Sequence, residues 1–197
     1  MRRILNRRPV LVALAGPDGA GKTTFNHVHL EPCGLRFLNP ALVARELHLD
    51  PGNAAAAVIA LRQMLMQQRE SFVLETVFSD PVVDKINFLK AAAESGYTVV
   101  LCFIGVASAR TSEARVAMRV SQGGHDVPSV KLAARYPRIM MNLGKAIREL
   151  PHVFIFDNED LLTPYRKVAV FAAGQASYLS KSTPRWLARV LPRAARH

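Results

Sequence analysis

The stretch Gly16-Pro17-Asp18-Gly19-Ala20-Gly21-Lys22-Thr23 fits the pattern G-x-x-x-x-G-K-[ST] at every position. It follows directly on the apolar run Val10–Ala15, where a buried strand hands over to a helix. Each residue type has a physical task in such a loop. Glycine lets backbone N–H groups curl around a β-phosphate with no Cβ in the way, Lys22 reaches the β- and γ-phosphates, and the Thr23 hydroxyl can ligate Mg2+. The implied ligand is a nucleoside triphosphate, held by Gly16, Pro17, Asp18, Gly19, Ala20, Gly21, Lys22, Thr23 and the adjoining Thr24. A glycine-rich turn can also arise without a ligand, but here strand, loop and helix start coincide.

Outward from the loop, strands and helices alternate. Residues 21–29 read as a helix, 35–38 as a second strand, 40–47 and 51–69 as helices opened by Pro40 and Pro51. The longer helix is expected to bury Ala57, Leu61, Met64 and Leu65. Residues 72–74 form a third strand ending at Glu75-Thr76, 82–94 a helix stopped by Gly96, and 97–104 a fourth strand. Helices over 108–121 and 129–150 follow, separated by Gly123-Gly124-His125-Asp126-Val127-Pro128, and 153–156 is a fifth strand. This order predicts an α/β P-loop NTPase fold, with a five-stranded, mainly parallel sheet flanked by helices and its ligand at the carboxyl ends of the strands. Beyond Asp157-Asn158, residues 167–171 and 176–179 flank 172–175 as a C-terminal hairpin. Pro184 then opens a short helix whose Trp186, Leu187, Val190 and Leu191 form a stripe expected to dock on the body. The chain divides into a basic N-terminal tail (1–8), a P-loop kinase-like domain (9–180) and a basic C-terminal helix and tail (181–197).

Composition sets the bounds. At 197 residues, half of them hydrophobic, the chain can bury one substantial core. Nine of its eleven net positive charges lie at the ends, on Arg2, Arg3, Arg7, Arg8, Lys181, Arg185, Arg189, Arg193 and Arg196, which leaves the body at +2. A nearly balanced body argues against a basic face built into the fold. The tails offer a route to nucleic acid or an anionic surface, although their ordinary reading is solvated ends that aid solubility. Cys33 and Cys102 make neither a disulfide framework nor a metal-ligand spacing. The opening arginines and the apolar run after them have the outline of a signal peptide, but that run leads straight into the phosphate loop. With no apolar run of the ~20 residues needed to span a bilayer, the chain is expected to have no transmembrane segment and to be cytoplasmic.

Further chemistry is expected beside the loop. Glu75 ends a buried strand, where such folds place an acid that orders Mg2+ through water or holds substrate, so the metal set is Thr23 with Glu75 through water. Arg115 and Arg119 are four apart on one helix and Arg135 and Arg138 three apart on the next, across the glycine-rich turn. Four guanidinium groups can converge there as a lid over a transferring phosphate, or else pair with Glu113, Asp126 or Glu149. His125 and Asp126 invite an acid–base role but serve equally as a cap pair.

With these residues in place, the chain resembles the zeta-toxin family of P-loop kinases, in the branch often described as predicted ATPases, over nearly its whole length. The resemblance rests on residues 16–24, Phe37-Leu38-Asn39-Pro40, Glu75-Thr76, Arg119 with residues 123–128, Arg135-Tyr136, and the ending Pro184-Arg185-Trp186. It implies an ATP- and Mg2+-dependent kinase with Lys22, Arg119, Arg135 and Glu75 as catalytic residues and Asn39, Glu46, Glu75 and Thr76 as the substrate set. Toxins of the family phosphorylate a sugar hydroxyl of UDP-N-acetylglucosamine and are restrained by an antitoxin protein, so a small-molecule acceptor and an antitoxin are the implied partners. One position departs from the family. The Asp that usually accepts the proton of the attacked hydroxyl is matched here by Ala41. Glu46 and Asp50 lie in the same region, a helical turn or more away, and Glu75 is better placed to hold the acceptor. Two other readings follow: an ATP-binding module with weak or lost transfer, and an enzyme acting on nucleic acid through its tails.

Overall fold

The computed structural model describes residues 1–81, 84–124 and 126–191. The expected helix start at Val82, His125 of the lid loop, and Arg193 and Arg196 of the tail lie outside the described residues. In chain order the elements are α1 (Arg2–Leu5), β1 (Val10–Ala15), α2 (Lys22–Phe25), β2 (Arg36–Leu38), α3 (Pro40–Glu46), α4 (Pro51–Gln67), β3 (Phe72–Thr76), α5 (Asp84–Glu94), β4 (Thr98–Gly105), α6 (Ala109–Ser121), α7 (Ser129–Glu149), β5 (His152–Asp157), β6 (Arg166–Ala172), β7 (Gln175–Leu179) and α8 (Arg185–Ala188).

Among the described residues the strands form one sheet in the order β2-β3-β1-β4-β5-β6-β7. The first five run parallel, and β6 and β7 extend the sheet antiparallel as the expected hairpin. From β1 the chain builds β2 and β3 on one side, then crosses to build β4 and β5 on the other. That reversal places the crevice at the carboxyl end of β1, where residues 16–23 leave it.

Period-2 alternation in the covered strands divides the core by face. Leu11, Ala13 and Ala15 of β1 and Val99, Leu101 and Phe103 of β4 face a cluster with Leu89 of α5, Ile147 of α7 and Trp186 of α8. Val10, Val12 and Leu14, with Val100, Cys102 and Ile104, face a second cluster with Leu5, Phe25 and Leu30. Both faces being buried, β1 reads as an unbroken apolar run. The edge strand β7 is mostly exposed.

Two local expectations are corrected. The helix after the loop is α-helical only over Lys22–Phe25 and passes into a π turn, Asn26–Leu30. Phe25 and Leu30 are both buried in one cluster, and the wider π turn brings residues five apart onto one face. In α4 the buried residues are Ala54, Val58 and Leu65, while Leu61 and Met64 are 37% and 50% exposed. That helix is apolar nearly all round, so hydrophobicity alone does not orient it. The 54/58/62/65 face turns inward, with Val58 and Leu65 in the main core cluster and the Arg62 guanidinium 4.1 Å from the Phe88 ring centroid.

The C-terminal helix docks as expected. The Trp186 indole lies against Gly105, where an added Cβ would come within 2.2 Å of it, and its Nε1–H donates to Asp157 Oδ1 at 2.9 Å. Among the described residues no helix is long and apolar enough to cross a membrane.

Candidate functional site

At the end of β1 the backbone turns sharply. Gly16 sits at φ +146°, with the position of a Cβ only 2.1 Å from the Ile104 carbonyl oxygen of β4, so only glycine lets the loop leave β1 this close to its neighbour. Lys22, 6% exposed, folds back along the loop and donates to the carbonyls of Gly16 (3.1 Å) and Pro17 (2.9 Å). Burial pushes the Lys22 ammonium below its ordinary pKa. The carboxylates of Glu75 and Asp18 act the other way, and Arg119 and Arg135 push in the direction of burial. Two cations of the lid are therefore felt at the lysine.

The β1–β3 register sets Glu75 beside Leu14, which brings the end of β3 under the loop. Glu75 Oε2 accepts from Thr23 Oγ1 at 2.9 Å and from Asn39 Nδ2 at 2.9 Å, and Oε1 lies 3.9 Å from Lys22 Nζ. Asn39 is 5% exposed and held from both sides. Its Oδ1 caps α3 by accepting from the N–H groups of Ala41 (2.8 Å) and Leu42 (3.3 Å), so its amide nitrogen is aimed at Glu75. The structure thus joins Lys22, Thr23, Asn39 and Glu75 in one polar cluster, with Lys22 and Asn39 buried and Thr23 and Glu75 partly so.

It does not bring every expected residue there. Thr76 accepts the Phe78 N–H through its hydroxyl, closing the turn after β3. Glu46 is exposed in the last turn of α3, and Asp50 is engaged as the cap of α4. Ala41 lies exposed in the first turn of α3. Thr24 is exposed beyond the loop, its hydroxyl in contact with the Tyr165 phenol.

Helices α6 and α7 reach the loop, though not as four converging arginines. Arg135 pairs with Asp18 at 3.0 Å, and the Ser112 hydroxyl donates to the Asp18 carbonyl. Arg119 is coupled electrostatically to Lys22. Arg115 instead donates to the Glu159 carbonyl at 3.0 Å, because its Cβ stands over Gly19 and its side chain runs toward the β5–β6 connector. Arg138 makes no hydrogen bond or ion pair to the loop among the described residues, and neither do Glu113, Asp126 and Glu149 take up Arg115, Arg135 or Arg138 in an ion pair there.

Sequence reading passed over Ser112, Asn158 and Tyr165, all of which touch loop carbonyls. Only Asn158, at the carboxyl end of β5 on the same sheet edge as the loop, carried a signal that could have found it. Among the described residues no group of three or more His, Cys, Asp or Glu could hold a metal ion. The donor set fits Mg2+, which takes one or two protein oxygens and completes its shell with phosphate oxygens and water. A groove of about 880 Å3 between α7 and α8, lined by Tyr136, Met140, Trp186 and Arg189, includes none of Lys22, Thr23, Asn39 or Glu75.

Comparison with solved structures agrees with the fold. In the AvrRxo1-ORF1:AvrRxo1-ORF2 complexes, a chain matches at TM-score 0.67 and 19% identity in the structure with sulphate ions, and at 0.68 and 18% in the structure with ATP. The matches cover 89% and 87% of this chain but 62% and 61% of those chains, so this chain spans less than two thirds of their length. A chain of the PezAT chromosomal toxin–antitoxin system of Streptococcus pneumoniae matches at TM-score 0.63 and 16% identity, over 94% of this chain and 78% of that one. A gluconokinase from Sinorhizobium meliloti matches at 0.51 and 16%, over 77% and 83%. At these identities the likeness is one of fold, that of the P-loop kinases. None of the curated proteins compared matches the chain. A family model described as Zeta toxin matches residues 52–175, from α4 through β3, the lid helices and β5 to the hairpin. Because that match spans more than half of the sequence and takes in Glu75, Arg119 and Arg135, the chain belongs to the zeta-toxin family.

Proposed function

We propose that this protein is an ATP- and Mg2+-dependent phosphotransferase that moves the γ-phosphate to a hydroxyl of a small molecule, with UDP-N-acetylglucosamine or a similar sugar nucleotide as acceptor. The observation that carries this reading is the cluster in which Lys22, Thr23, Asn39 and Glu75 meet beneath the loop, with Arg119 and Arg135 electrostatically coupled to the lysine. The loop N–H groups and Lys22 would bind the triphosphate. Thr23, with Glu75 through water, would hold Mg2+, which supplies neutralising charge on the phosphate oxygens. Glu75 is fixed by two hydrogen bonds, so it can orient an acceptor hydroxyl without reorganising. Arg119 and Arg135 would meet the charge that spreads over the moving group and help keep water out. The AvrRxo1-ORF1 complex with ATP and the toxin–antitoxin setting of PezAT support ATP as the donor and an antitoxin protein as a partner of this chain.

The position that matches the family's base is Ala41, exposed and uncharged, and Glu46, the one carboxylate of α3, lies exposed in the last turn of that helix. This observation favours a second reading, an ATP-binding module with weak transfer. Incubation with Mg-ATP and a panel of hydroxyl acceptors led by UDP-N-acetylglucosamine, read by mass spectrometry, separates the two. A phosphorylated sugar nucleotide supports the kinase and its acceptor class. ATP bound but no acceptor modified would favour the module.

A further inference from the structure

We propose that Asn158 and Tyr165, at the two ends of the β5–β6 connector, are positioning residues that set the direction of the phosphate loop's N–H groups. The inference rests on reading residues 16–23 as the triphosphate site. Asn158 is 3% exposed, and its Nδ2 donates to the Ala20 carbonyl at 2.9 Å. Its Oδ1 accepts the Tyr165 N–H at 3.2 Å, tying the connector's ends together. The Tyr165 hydroxyl in turn donates to the Gly21 carbonyl at 2.9 Å. Two successive carbonyls of the loop are thus gripped by one clamp, which holds the first by side chain alone and shares the second with the Phe25 N–H of α2 at 2.9 Å.

The geometry of the peptide unit turns that clamp into orientation. Across a planar trans peptide, the C=O of one residue and the N–H of the next point in opposite directions. Fixing the Ala20 carbonyl therefore fixes the Gly21 N–H the other way, and fixing the Gly21 carbonyl does the same for the Lys22 N–H. Both N–H groups are then directed away from the connector, where successive N–H groups make an anion-binding concavity. The fit is close. A Cβ on Gly21 would come within 2.8 Å of Asn158 Nδ2 and 2.9 Å of the Tyr165 hydroxyl, so the last loop glycine is required by the clamp as well as by its φ of +89°. Tyr165 itself stands at φ +55°, a left-handed conformation unfavourable to a bulky residue, with its ring packed edge-on against Phe25 and His29.

The test uses inorganic tripolyphosphate as the probe, which reads the phosphate cradle without base or acceptor. Tyr165→Phe keeps the ring and removes only the hydroxyl, and Asn158→Ala removes the amide. Each should raise the calorimetric Kd for tripolyphosphate, and for ATP, about 3- to 10-fold, the worth of one hydrogen bond. Tyr97→Phe, which removes a hydroxyl bonded to the Leu65 and Glu70 carbonyls at the amino ends of the strands, opposite the loop, should lower the melting temperature and leave that Kd unchanged. If both clamp variants bind tripolyphosphate like wild type, whatever their melting temperatures, the clamp is refuted while the triphosphate reading stands. If wild type binds neither tripolyphosphate nor ATP, both fall together.

Discussion

Ala41 occupies the first turn of α3, two residues past the Asn39 cap, and it is exposed. A carboxylate there would stand near the helix N-terminus, where the backbone dipole favours negative charge, so Ala41→Asp should fold at least as stably as wild type. General base assistance contributes typically 10²- to 10⁴-fold, and the variant should turn over acceptor about 10²-fold faster, measured as steady-state kcat. An unchanged kcat with intact ATP binding would count against a missing base at this position. Asn39 carries two tasks in one side chain, capping α3 and donating to Glu75. Asn39→Ala should therefore cost about 1 kcal/mol in denaturant unfolding through the lost cap, and it should also lower transfer because Glu75 is left with one fewer donor. Loss of stability with unaltered transfer would show that the Glu75 contact is idle. At this scale the sequence was most legible where a residue type admits one job. The loop glycines, Lys22 and Glu75 were found because motif and strand end named them. Tyr165 escaped because it acts on a carbonyl 144 positions away, and a hydrogen bond to backbone leaves no signature in the residue it grips, while Asn158 was signalled only by its place at the end of β5.

Among the elements, the strands were legible and one helix face was not. β1 and β4 are covered on both faces and advertise it with unbroken apolar runs. In α4 apolar residues lie all round, so the buried side was decided by tertiary packing, with Val58 and Leu65 in the core cluster and Arg62 over Phe88 of α5. The π turn after α2 was likewise set by tertiary packing, in the need to bury Phe25 and Leu30 together. The docking of α8 was anticipated from its stripe, but its receptor was not: Gly105 at the end of β4 leaves room for the Trp186 ring. Gly105→Ala would overfill that contact. It should cost about 3 kcal/mol and shift the emission of Trp186, the chain's single tryptophan, to the red. An unchanged denaturation midpoint would mean that α8 docks without this contact.

On the scale of the whole molecule, the strand order β2-β3-β1-β4-β5 reverses at β1, and this topology gathers the chemistry. The ends of β1 and β3 hold the lysine, threonine and glutamate. The lid helices α6 and α7 arrive over them from beyond β4, with Ser112 and Arg135 both engaged on Asp18. The hairpin prolongs the same sheet, and along the sequence the basic charge is concentrated toward the chain ends. The expected convergence of four arginines reduced to two because helix spacing fixes which residues share a face but not where each guanidinium finds its partner, and Arg115 found the connector. Phosphoryl transfer is the work proposed for the loop and the cluster beneath it. Its most direct measurement is the passage of labelled γ-phosphate from Mg-ATP to UDP-N-acetylglucosamine, with wild type and Lys22→Ala run side by side. Wild type should yield labelled sugar nucleotide and the variant none, with its ATP affinity also collapsed. Equal labelling by both proteins would contradict that role.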